Sequence, residues 1–305
     1  MKHFLDLASC STEELDNLLE TALRLKREWR NGGNQPVLRN KTLGMIFQKP
    51  SLRTRVSFEM AMKHLGGSAI MLGPQEIGLG KRESVPDVAR VLSAYVDGIM
   101  ARVFDHAHVV ELAEFSRVPV INGLSDSYHP CQALADIMTI REHFGQLAGL
   151  RLAFVGDGNN VAASVALVCA HFGVTFSIAT PEGYEMKSSI RDQAYDLAER
   201  NGSSLEMHTR PQQAVADADV IYTDTWVSMG QEAEAQERIG EFAGFQVNRD
   251  LLQFAKDGTI VLHCLPAHRG EEITDDVMDG PKSKVFEQAE NRMHAQKAVL
   301  THLLA

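Results

Sequence analysis

The stretch Leu43-Gly44-Met45-Ile46-Phe47 is followed closely by Ser51-Leu52-Arg53-Thr54-Arg55. The first segment is a short apolar run of the kind found in buried strands, and apolar side chains then recur at helical spacing as far as Leu65. Gly66-Gly67 ends that helical pattern. The two segments together predict a buried strand that turns directly into a helix, which is the unit from which parallel α/β sheets are built.

Two arginines in the first turn of this helix, Arg53 and Arg55, make the turn a candidate anion site. A helix start exposes unpaired backbone N–H groups and the positive end of the helix dipole, so basic residues are disfavoured there unless an anion compensates them. Ser51 and Thr54 add hydroxyl groups, and guanidinium groups present forked donors that suit phosphate oxygens. A solvated basic first turn is the alternative, and we predict the anion site.

Short apolar runs alternate with helical stretches along the chain, which is the pattern of parallel sheets covered by helices on both faces. The first series of runs comprises Leu43–Phe47, Ala69–Leu72, Gly98–Ala101 and Val118–Ile121. The second series comprises Leu152–Val155, Thr175–Ile178, Val220–Thr223 and Thr259–Leu262. We therefore predict an α/β fold with two domains, each a parallel sheet flanked by helices.

The predicted helices mark the domain boundary. A capping box, Ser11-Thr12-Glu13-Glu14, predicts the start of a long amphipathic helix near the beginning of the chain. The helical pattern from Pro130 to His143 is expected to bridge the two series of strands, with the boundary within Phe144–Leu150. The predicted domains are residues 1–144 and 145–288, followed by a further helix over residues 289–305.

Composition excludes several classes of protein. The 305 residues suffice for two domains of ordinary size, and contents of 44% hydrophobic and 23% charged residues are typical of a soluble globular protein. A net charge of −10 argues against a general binder of nucleic acid or of acidic membranes, and no apolar run is long enough to span a membrane. Four cysteines without CxxC spacing, and the lack of a signal-peptide pattern, favour the cytoplasm.

Polar side chains follow the predicted strands at the points where these strands end. Ligands of parallel sheets bind outside the carboxyl ends of the strands, so these side chains form the candidate site. They are Arg102, Asn122, His129, Asn159, Asn160, Asp224, His263 and Cys264. Because they come from both predicted domains, we expect an active site in the cleft between the domains.

Some of these residues also admit a structural role. His129 precedes Pro130, which is favourable at the first position of a helix, so the histidine could serve as a helix cap. Gln132 would lie on the same helix face as His129, which favours a binding role for the pair. Asp224 could likewise cap a helix, although a carboxylate at a cleft edge also suits a substrate ammonium group.

Two further features keep several interpretations open. Cys264 could be a nucleophile, a small buried hydrophobic residue or a binding residue. A cysteine nucleophile needs a base, and adjacent residues that leave a strand point to opposite sides, which argues against His263 as that base.

The turn from Gly156 to Val161 is half of a dinucleotide fingerprint, because Val161 replaces the third glycine. Its two asparagines better suit an amino-acid carboxylate or a backbone group.

Four segments, in this order, resemble the signature motifs of the ornithine branch of the aspartate/ornithine carbamoyltransferase family. They are Ser51–Arg55, His129-Pro130-Cys131-Gln132, Asp224–Gly230 and His263-Cys264-Leu265-Pro266. The resemblance covers essentially the whole chain, as far as Ala289-Glu290-Asn291-Arg292. It implies transfer of the carbamoyl group of carbamoyl phosphate to the δ-amine of L-ornithine, giving L-citrulline and phosphate, as in arginine biosynthesis. It also implies no metal or organic cofactor, a homotrimer or a multiple of trimers, and a C-terminal helix that packs back on the first domain.

The resemblance implies a role for each motif residue. The implied ligands of carbamoyl phosphate are Ser51, Leu52, Arg53, Thr54, Arg102, His129, Gln132, Cys264, Leu265 and Arg292. The implied ligands of ornithine are Asn160, Asp224, Ser228 and Met229. The residues implied to take part in the catalytic step are Arg53, Arg102, His129, Asp224 and Cys264. Cys264 is expected to line the site near the attacking amine without forming a covalent intermediate.

Two positions depart from the family pattern. Leu52 stands where the family more often has threonine, which matters little if only the backbone N–H group is used there. Gly78 stands where many relatives have a glutamine that reaches into a neighbouring subunit, so this contact is assigned to no residue here.

Other functions remain as alternatives. Aspartate carbamoyltransferase shares the motifs of the first domain. An enzyme that acts on an N-acylated ornithine is a closer alternative, and an enzyme that acts on putrescine is another. A nicotinamide-dependent dehydrogenase would use the Gly156 turn, and a carbamoyl-phosphate-binding protein without activity is the non-enzyme alternative. The segments Ser228-Met229-Gly230 and His263-Cys264-Leu265-Pro266 favour the ornithine branch.

Overall fold

A computed structural model describes residues 1–228 and 230–305 of the chain. The described residues form two compact units, the first from Met1–Met138 with Asn291–Ala305 and the second from Thr139–Glu290. Each unit contains a parallel sheet flanked by helices. No helix in the described ranges is both long enough and apolar enough to cross a membrane.

The first unit is built on a four-stranded sheet in the order β2-β1-β3-β4, in which every neighbouring pair is parallel. Its strands are β1 (Thr42–Phe47), β2 (Ser68–Leu72), β3 (Gly98–Arg102) and β4 (Val120–Leu124). The helices that precede or follow these strands are α1 (Thr12–Arg30), α2 (Leu52–His64), α3 (Pro74–Ile77), α4 (Val85–Leu92), α5 (His106–Phe115) and α6 (Pro130–Phe144).

The second unit is built on a five-stranded sheet in the order β7-β6-β5-β8-β9, again with parallel neighbours. Its strands are β5 (Arg151–Val155), β6 (Thr175–Ala179), β7 (Leu205–His208), β8 (Val220–Thr223) and β9 (Ile260–His263). The remaining helices are α7 (Asn160–His171), α8 (Ser188–Arg200), α9 (Pro211–Val215), α10 (Ala235–Glu241), α11 (Arg249–Leu252), α12 (Asp275–Met278) and α13 (Val285–Leu304). A short 3₁₀ helix over Glu232–Glu234 precedes α10.

The predicted α/β fold with two parallel sheets is confirmed, and each predicted apolar run overlaps an observed strand. Apolar side chains on both faces of the central strands explain why these strands have continuous apolar sequences. In the first unit, Ile46, Ile99 and Val120 belong to one buried cluster that includes residues of α4 and α5. In the second unit, Val155 and Val261 belong to a corresponding cluster.

Sequence reasoning missed β7 and misplaced boundaries of β3, β4 and α13. β7 lies at the edge of its sheet and is only partly buried, so it lacks an apolar run that would reveal it. β4 begins after Pro119, which has no N–H group to pair. The strand continues to Leu124, so Asn122 lies inside the strand and not beyond it. Arg102 is likewise the last residue of β3. Helix α13 begins at Val285, earlier than the predicted residue 289.

The predicted capping box at the start of α1 is confirmed. Ser11 Oγ accepts the Glu14 N–H group at 3.1 Å, and the Glu14 carboxylate accepts the Ser11 N–H group at 2.9 Å. This reciprocal pair satisfies two backbone donors that a helix start leaves without intrahelical partners. Behind it, Leu15, Leu18 and Leu19 are buried along one face of the helix.

The strand register brings the ends of different strands to the same edge of each sheet. In the first sheet, Phe47 pairs with Arg102, so the chain leaves β1 beside the end of β3. In the second sheet, Val155 pairs with Thr223, which in turn pairs with His263. The residues that follow β5, β8 and β9 therefore emerge together.

A group of basic and aromatic side chains joins α1, α2 and α13 within the first unit. The Lys297 ammonium group donates to Asn34 Oδ1 at 2.7 Å and lies 4.7 Å from the centre of the Trp29 ring, which stacks on His64. His294 is fully buried, and burial together with the nearby Lys297 charge lowers its pKa to about 3. The same two causes lower the pKa of His64 to about 4.

Acid should therefore destabilise the fold through His294, which also faces Lys26 and Arg30. Its folded-state pKa lies below the unfolded value of about 6.5, so the unfolded state binds more protons and stability falls as the pH drops below 6.5. We expect His294 to remove about 2 kcal/mol from the free energy of unfolding between about pH 7 and 5. Urea unfolding of wild type and His294→Gln measures this difference.

The matched control is His302→Gln, at an exposed position of the same helix. This variant should keep the pH dependence of the wild type, whereas His294→Gln should reduce it and leave the part that comes from His64. Parallel curves for both variants and the wild type would show that His294 is not the source of the acid sensitivity.

Candidate active site

The turn between β1 and α2 is capped by Ser51. Ser51 Oγ accepts the N–H group of Thr54 at 3.3 Å, and the Ser51 hydroxyl donates to Thr54 Oγ1 at 3.0 Å. Ser51 has an extended backbone and directly precedes α2, so the helix begins at the turn that the sequence predicts. The positive end of the α2 dipole therefore lies at this turn.

The Thr54 hydroxyl oxygen is the point where three elements of the first unit meet. Thr54 is fully buried, and its Oγ1 lies 3.0 Å from Ser51 Oγ, 3.5 Å from Arg102 Nη1 and 3.0 Å from Arg292 Nη2. Arg102 is 8% exposed at the end of β3, and Arg292 is 4% exposed on α13. Two guanidinium groups that are distant in sequence are thus held together at the start of α2.

The other residues of the turn differ in their surroundings. Arg53 is half-buried, and its Nε has no hydrogen-bond partner among the described residues. The Leu52 side chain is 76% exposed, so its backbone N–H group is the part presented by the turn. Arg55 forms an exposed ion pair with Glu59 at 2.9 Å. Arg55 therefore does not contribute to the predicted anion site, because residues two apart on a helix do not share a face.

His129 precedes α6 and is 4% exposed. Burial lowers its pKa well below the usual value, and the nearby charges of Arg292 and Arg102 lower the pKa further. The imidazole is therefore neutral near pH 7 and can donate one hydrogen bond without adding a charge. The His129 carbonyl accepts the N–H groups of Gln132 and Ala133, so the backbone of His129 closes the first turn of α6.

Gln132 is also buried, and its side chain runs along α6. Its Nε2 donates to Asp136 Oδ1 at 2.7 Å, whereas its Oε1 accepts no hydrogen bond from any described residue. Burial raises the pKa of the neighbouring Cys131 thiol to about 12, so this cysteine stays protonated. The first unit brings together the predicted residues Ser51, Thr54, Arg102, His129 and Arg292.

This set can hold an oxyanion and stabilise a second negative charge beside it. A helix N-terminus, hydroxyl groups and guanidinium groups are the usual donors to phosphate oxygens. A neutral imidazole and a buried guanidinium group can also donate to a carbonyl oxygen as that oxygen becomes negative. Burial strengthens these interactions because little water competes for the donors.

In the second unit, the carboxylate of Asp224, which follows β8, connects the loops that leave β5 and β9 on either side of that strand. Asp224 is 6% exposed, and its Oδ2 accepts from Asn159 Nδ2 at 2.9 Å. Its Oδ1 accepts from the Cys264 thiol, also at 2.9 Å. No helix begins at Asp224 in the described ranges, so the structure does not support its role as a helix cap.

Asn159 is a positioning residue to which sequence reasoning gave no separate role. Its Oδ1 caps α7 by accepting two N–H groups of the first turn, while its Nδ2 holds Asp224. The asparagine directly before a buried helix was the available signal. Asn160 is the first residue of α7 and is half-buried. Gly158 allows this close turn, because a Cβ atom there would lie 2.3 Å from the backbone nitrogen of Met186.

The His263 side chain is fully buried and takes part in a hydrogen-bonded network with Leu265 and Glu272. Its Nδ1 accepts the N–H group of Leu265 at 2.9 Å, so Nε2 carries the proton and donates to Glu272 Oε1 at 2.9 Å. Glu272 Oε1 also accepts the N–H group of His268 at 2.6 Å. The network holds Leu265 in a left-handed conformation, with φ of 60°, directly after Cys264.

These contacts bear on two alternative chemistries for Cys264. Both ring nitrogens of His263 are already engaged, so it has no site left to serve as the base of a cysteine nucleophile. Asp224, His263 and Cys264 place ligand-type atoms within 4.8 Å of one another. The same engagement of His263 leaves no ring lone pair for a metal ion, so the residues present do not make a fitting metal site.

A buried ion pair connects the turn after β5 with the loop after β8 in the second unit. Arg238 on α10 donates to Asp157 Oδ2 at 2.9 Å and to the Trp226 carbonyl at 2.9 Å, which links the turn after β5 to the loop after β8. Burial raises the pKa of Asp157 to about 6, against the opposing effect of Arg238. Ser228 is half-buried, and Met229 lies outside the described residues.

Gly78, the position that departs from the family pattern, has a local structural reason to be glycine. It ends α3 in a left-handed conformation with φ of 52°, and a Cβ atom there would lie 2.6 Å from Arg82 Cβ. A glutamine would be strained in this conformation.

The fold and these two sets of side chains define a class of enzyme. One unit presents donors for an oxyanion and for a carbonyl that gains charge, and the other presents a carboxylate and amides that can hold an amino acid. These are the groups required to transfer a carbonyl group from a phosphorylated donor to an amine.

The chain belongs to the aspartate/ornithine carbamoyltransferase family. Residues 2–142 match the model of the family's carbamoyl-P binding domain, and residues 148–303 match that of its Asp/Orn binding domain. An ornithine carbamoyltransferase of Anoxybacillus flavithermus is 53% identical over 303 residues, which are 99% of this chain and 96% of that protein.

Proteins of Pyrococcus furiosus give the same result in sequence and in structure. Its anabolic ornithine carbamoyltransferase is 55% identical over 299 residues, 98% of this chain and 95% of that protein. A solved structure of ornithine carbamoyltransferase from the same organism has a TM-score of 0.97 at 54% identity, covering 99% of this chain and 97% of that one. The similarity therefore extends over both units.

Proposed function

We propose that this chain transfers the carbamoyl group of carbamoyl phosphate to the δ-amine of L-ornithine, giving L-citrulline and phosphate. The observation that carries the proposal is the meeting of Arg102, Arg292 and Ser51 at the Thr54 hydroxyl, within the unit that matches a carbamoyl-phosphate-binding domain. The relatives named above are ornithine carbamoyltransferases, and one of them is anabolic. Arginine biosynthesis in the cytoplasm is the proposed setting.

In this scheme the start of α2 binds the phosphate group. Ser51, Thr54, Arg53 and the N–H group of Leu52 contact its oxygens, and Arg292 supplies a second guanidinium group. These contacts strengthen as the bridging oxygen gains charge during departure of phosphate, so they favour the transition state over the ground state. Carbamoyl phosphate already carries a good leaving group, and the scheme uses no metal or organic cofactor.

The carbamoyl group itself needs two kinds of partner. Arg102, Thr54 and His129 donate to its carbonyl oxygen and stabilise the tetrahedral oxyanion. A neutral His129 is suited to this task, because a neutral imidazole can donate a hydrogen bond without adding a charge. Gln132, with Cys264 and Leu265, is proposed to contact the carbamoyl NH₂ group.

Ornithine is proposed to bind through residues of the second unit. Asp224 and Ser228 receive its α-ammonium group, and Asn160 with the backbone of Met229 receives its α-carboxylate. Asn159 holds Asp224 in place from one side and Cys264 does so from the other. Cys264 lines the site in this scheme and forms no bond to the carbamoyl group, which agrees with the engagement of His263 elsewhere.

The attacking δ-amine must be neutral. An alkylammonium pKa of about 10.4 makes its deprotonation cost roughly 4–5 kcal/mol at pH 7. The positive charges of Arg102 and Arg292 disfavour a cation near the carbamoyl carbon and so lower that cost. Positioning of the amine against the carbonyl supplies much of the remaining rate.

A homotrimer, or a multiple of trimers, is proposed as the state of assembly. Leu52 and Val56 lie one turn apart on α2 and are 76% and 47% exposed, and Ile70 on the edge strand β2 is 51% exposed. Exposed apolar side chains of this kind, together with an unprotected strand edge, favour contact with another chain. These residues belong to the first unit, which agrees with trimer contacts made by the first domains.

Thr54→Val should lower kcat/KM for carbamoyl phosphate about a hundredfold or more, because it removes the hydroxyl at which Ser51, Arg102 and Arg292 meet. Thr54→Ser keeps the hydroxyl and should stay within about tenfold of the wild type. Initial rates of citrulline formation measure both variants. Equal losses in the two would indicate that the methyl group, and not the hydroxyl, matters.

The acceptor is tested with a panel of amines. Wild type should prefer ornithine over N-acetylornithine and over putrescine by at least about tenfold, because each analogue lacks a group that the proposed acceptor site would bind. Asp224→Asn should reduce the preference most against N-acetylornithine, which lacks the α-ammonium charge. The control Asp250→Asn, at an exposed position, should leave the preference unchanged. Comparable kcat/KM values for all three amines would refute ornithine as the substrate.

Sedimentation tests the assembly. The wild type should sediment as a species about three times the chain mass of 33.7 kDa, or a multiple of that species. Ile70→Glu should weaken the assembly, because it places a charge on the proposed contact surface. Phe254→Glu changes an equally exposed residue of the second unit and should not weaken it. A wild-type protein that sediments only as the single chain at micromolar concentration would disprove the trimer.

A further inference from the structure

We infer that Asp136 is a positioning residue that holds the Gln132 side-chain amide in one orientation, with its carbonyl oxygen toward the NH₂ group of carbamoyl phosphate. The inference rests on the proposed function and adds a residue beyond the motif His129-Pro130-Cys131-Gln132. Asp136 contacts no substrate in this scheme and acts through Gln132.

The geometry of α6 supports this role. Asp136 follows Gln132 by one helical turn, so the two side chains lie on the same face. Gln132 Nε2 lies 2.7 Å from Asp136 Oδ1. Asp136 is 0% exposed and Gln132 is 1% exposed, so water does not compete for the bond. The bond lies within one helix, and the amide is therefore oriented whether or not a substrate is bound.

The chemistry of the pair decides which amide atom faces the carboxylate. A side-chain amide has its donor hydrogens on nitrogen and its acceptor on oxygen, and the donor Nε2 of Gln132 is paired with Asp136 Oδ1. Nε2 therefore turns toward Asp136, and Oε1 turns the other way. Oε1 is buried and accepts no hydrogen bond from residues 1–228 or 230–305. Buried acceptors in folded proteins are rarely left in that condition, which points to a donor on a ligand.

The consequence is selectivity for the donor substrate. Carbamoyl phosphate carries an NH₂ group where acetyl phosphate carries a methyl group. With Oε1 held in place, the NH₂ group gains an acceptor, and the methyl group would leave that acceptor unsatisfied. If the amide turned over, its own NH₂ group would meet the carbamoyl NH₂ group, and two donors would oppose each other. Asp136 prevents this reversal.

Two substitutions of Asp136 test the inference through a comparison of donors. Asp136→Leu removes the acceptor with little change in size and should raise the KM for carbamoyl phosphate at least tenfold. The inhibition constant of acetyl phosphate, measured as a competitor, should change less than twofold. Asp136→Asn can pair with either orientation of the amide and should give an intermediate loss. Glu142→Gln, at an exposed position of α6, is the control and should resemble the wild type.

A double-mutant cycle separates positioning from a general structural role. In a Gln132→Met background, Asp136→Leu should change the KM for carbamoyl phosphate less than twofold, because no amide remains to be oriented. An undiminished effect in that background, or equal weakening of both donors, would overturn the inference. So would the failure of both Asp136 variants to fold, as judged by circular dichroism. A wild-type protein that forms no citrulline would instead overturn the proposed function.

Discussion

The pairing of Phe47 with Arg102 across two parallel strands places the end of β3 beside the start of the helix that follows β1. Parallel strands all end at the same edge of a sheet, so this pairing decides which side chains can meet. Arg102 reaches the Thr54 hydroxyl because of it, and Arg292 reaches the same atom from α13. That register therefore brings the two guanidinium groups to the N-terminus of one helix.

Burial changes what these groups can do. Two buried guanidinium groups near one hydroxyl keep a neighbouring histidine neutral, because burial and like charge both disfavour its protonation. His129 is therefore an uncharged hydrogen-bond donor, whereas Arg102 and Arg292 carry positive charges. This division suits a reaction in which a phosphate leaves and a carbonyl oxygen becomes negative at neighbouring positions.

The second unit shows a different use of buried polar groups. Asp224 is held by Asn159 and Cys264, the loop after β9 is held by His263 and Glu272, and Arg238 connects the loop after β8 to the turn after β5. Each loop is thus oriented by contacts within the unit before any substrate binds. Such preorganisation lowers the cost of ordering an acceptor site.

The sequence by itself determined the two parallel sheets and the helix start at Ser51, and it singled out most of the candidate residues, because apolar runs and helix starts are local patterns. It did not reveal β7, whose half-exposed edge position leaves no apolar run, or the separation of Arg55 from Arg53. Only the tertiary structure decided that His129 is neutral and that Asn159 and Cys264 hold Asp224. The physical reason is that burial and charge proximity depend on residues far apart in the chain, which no local pattern specifies.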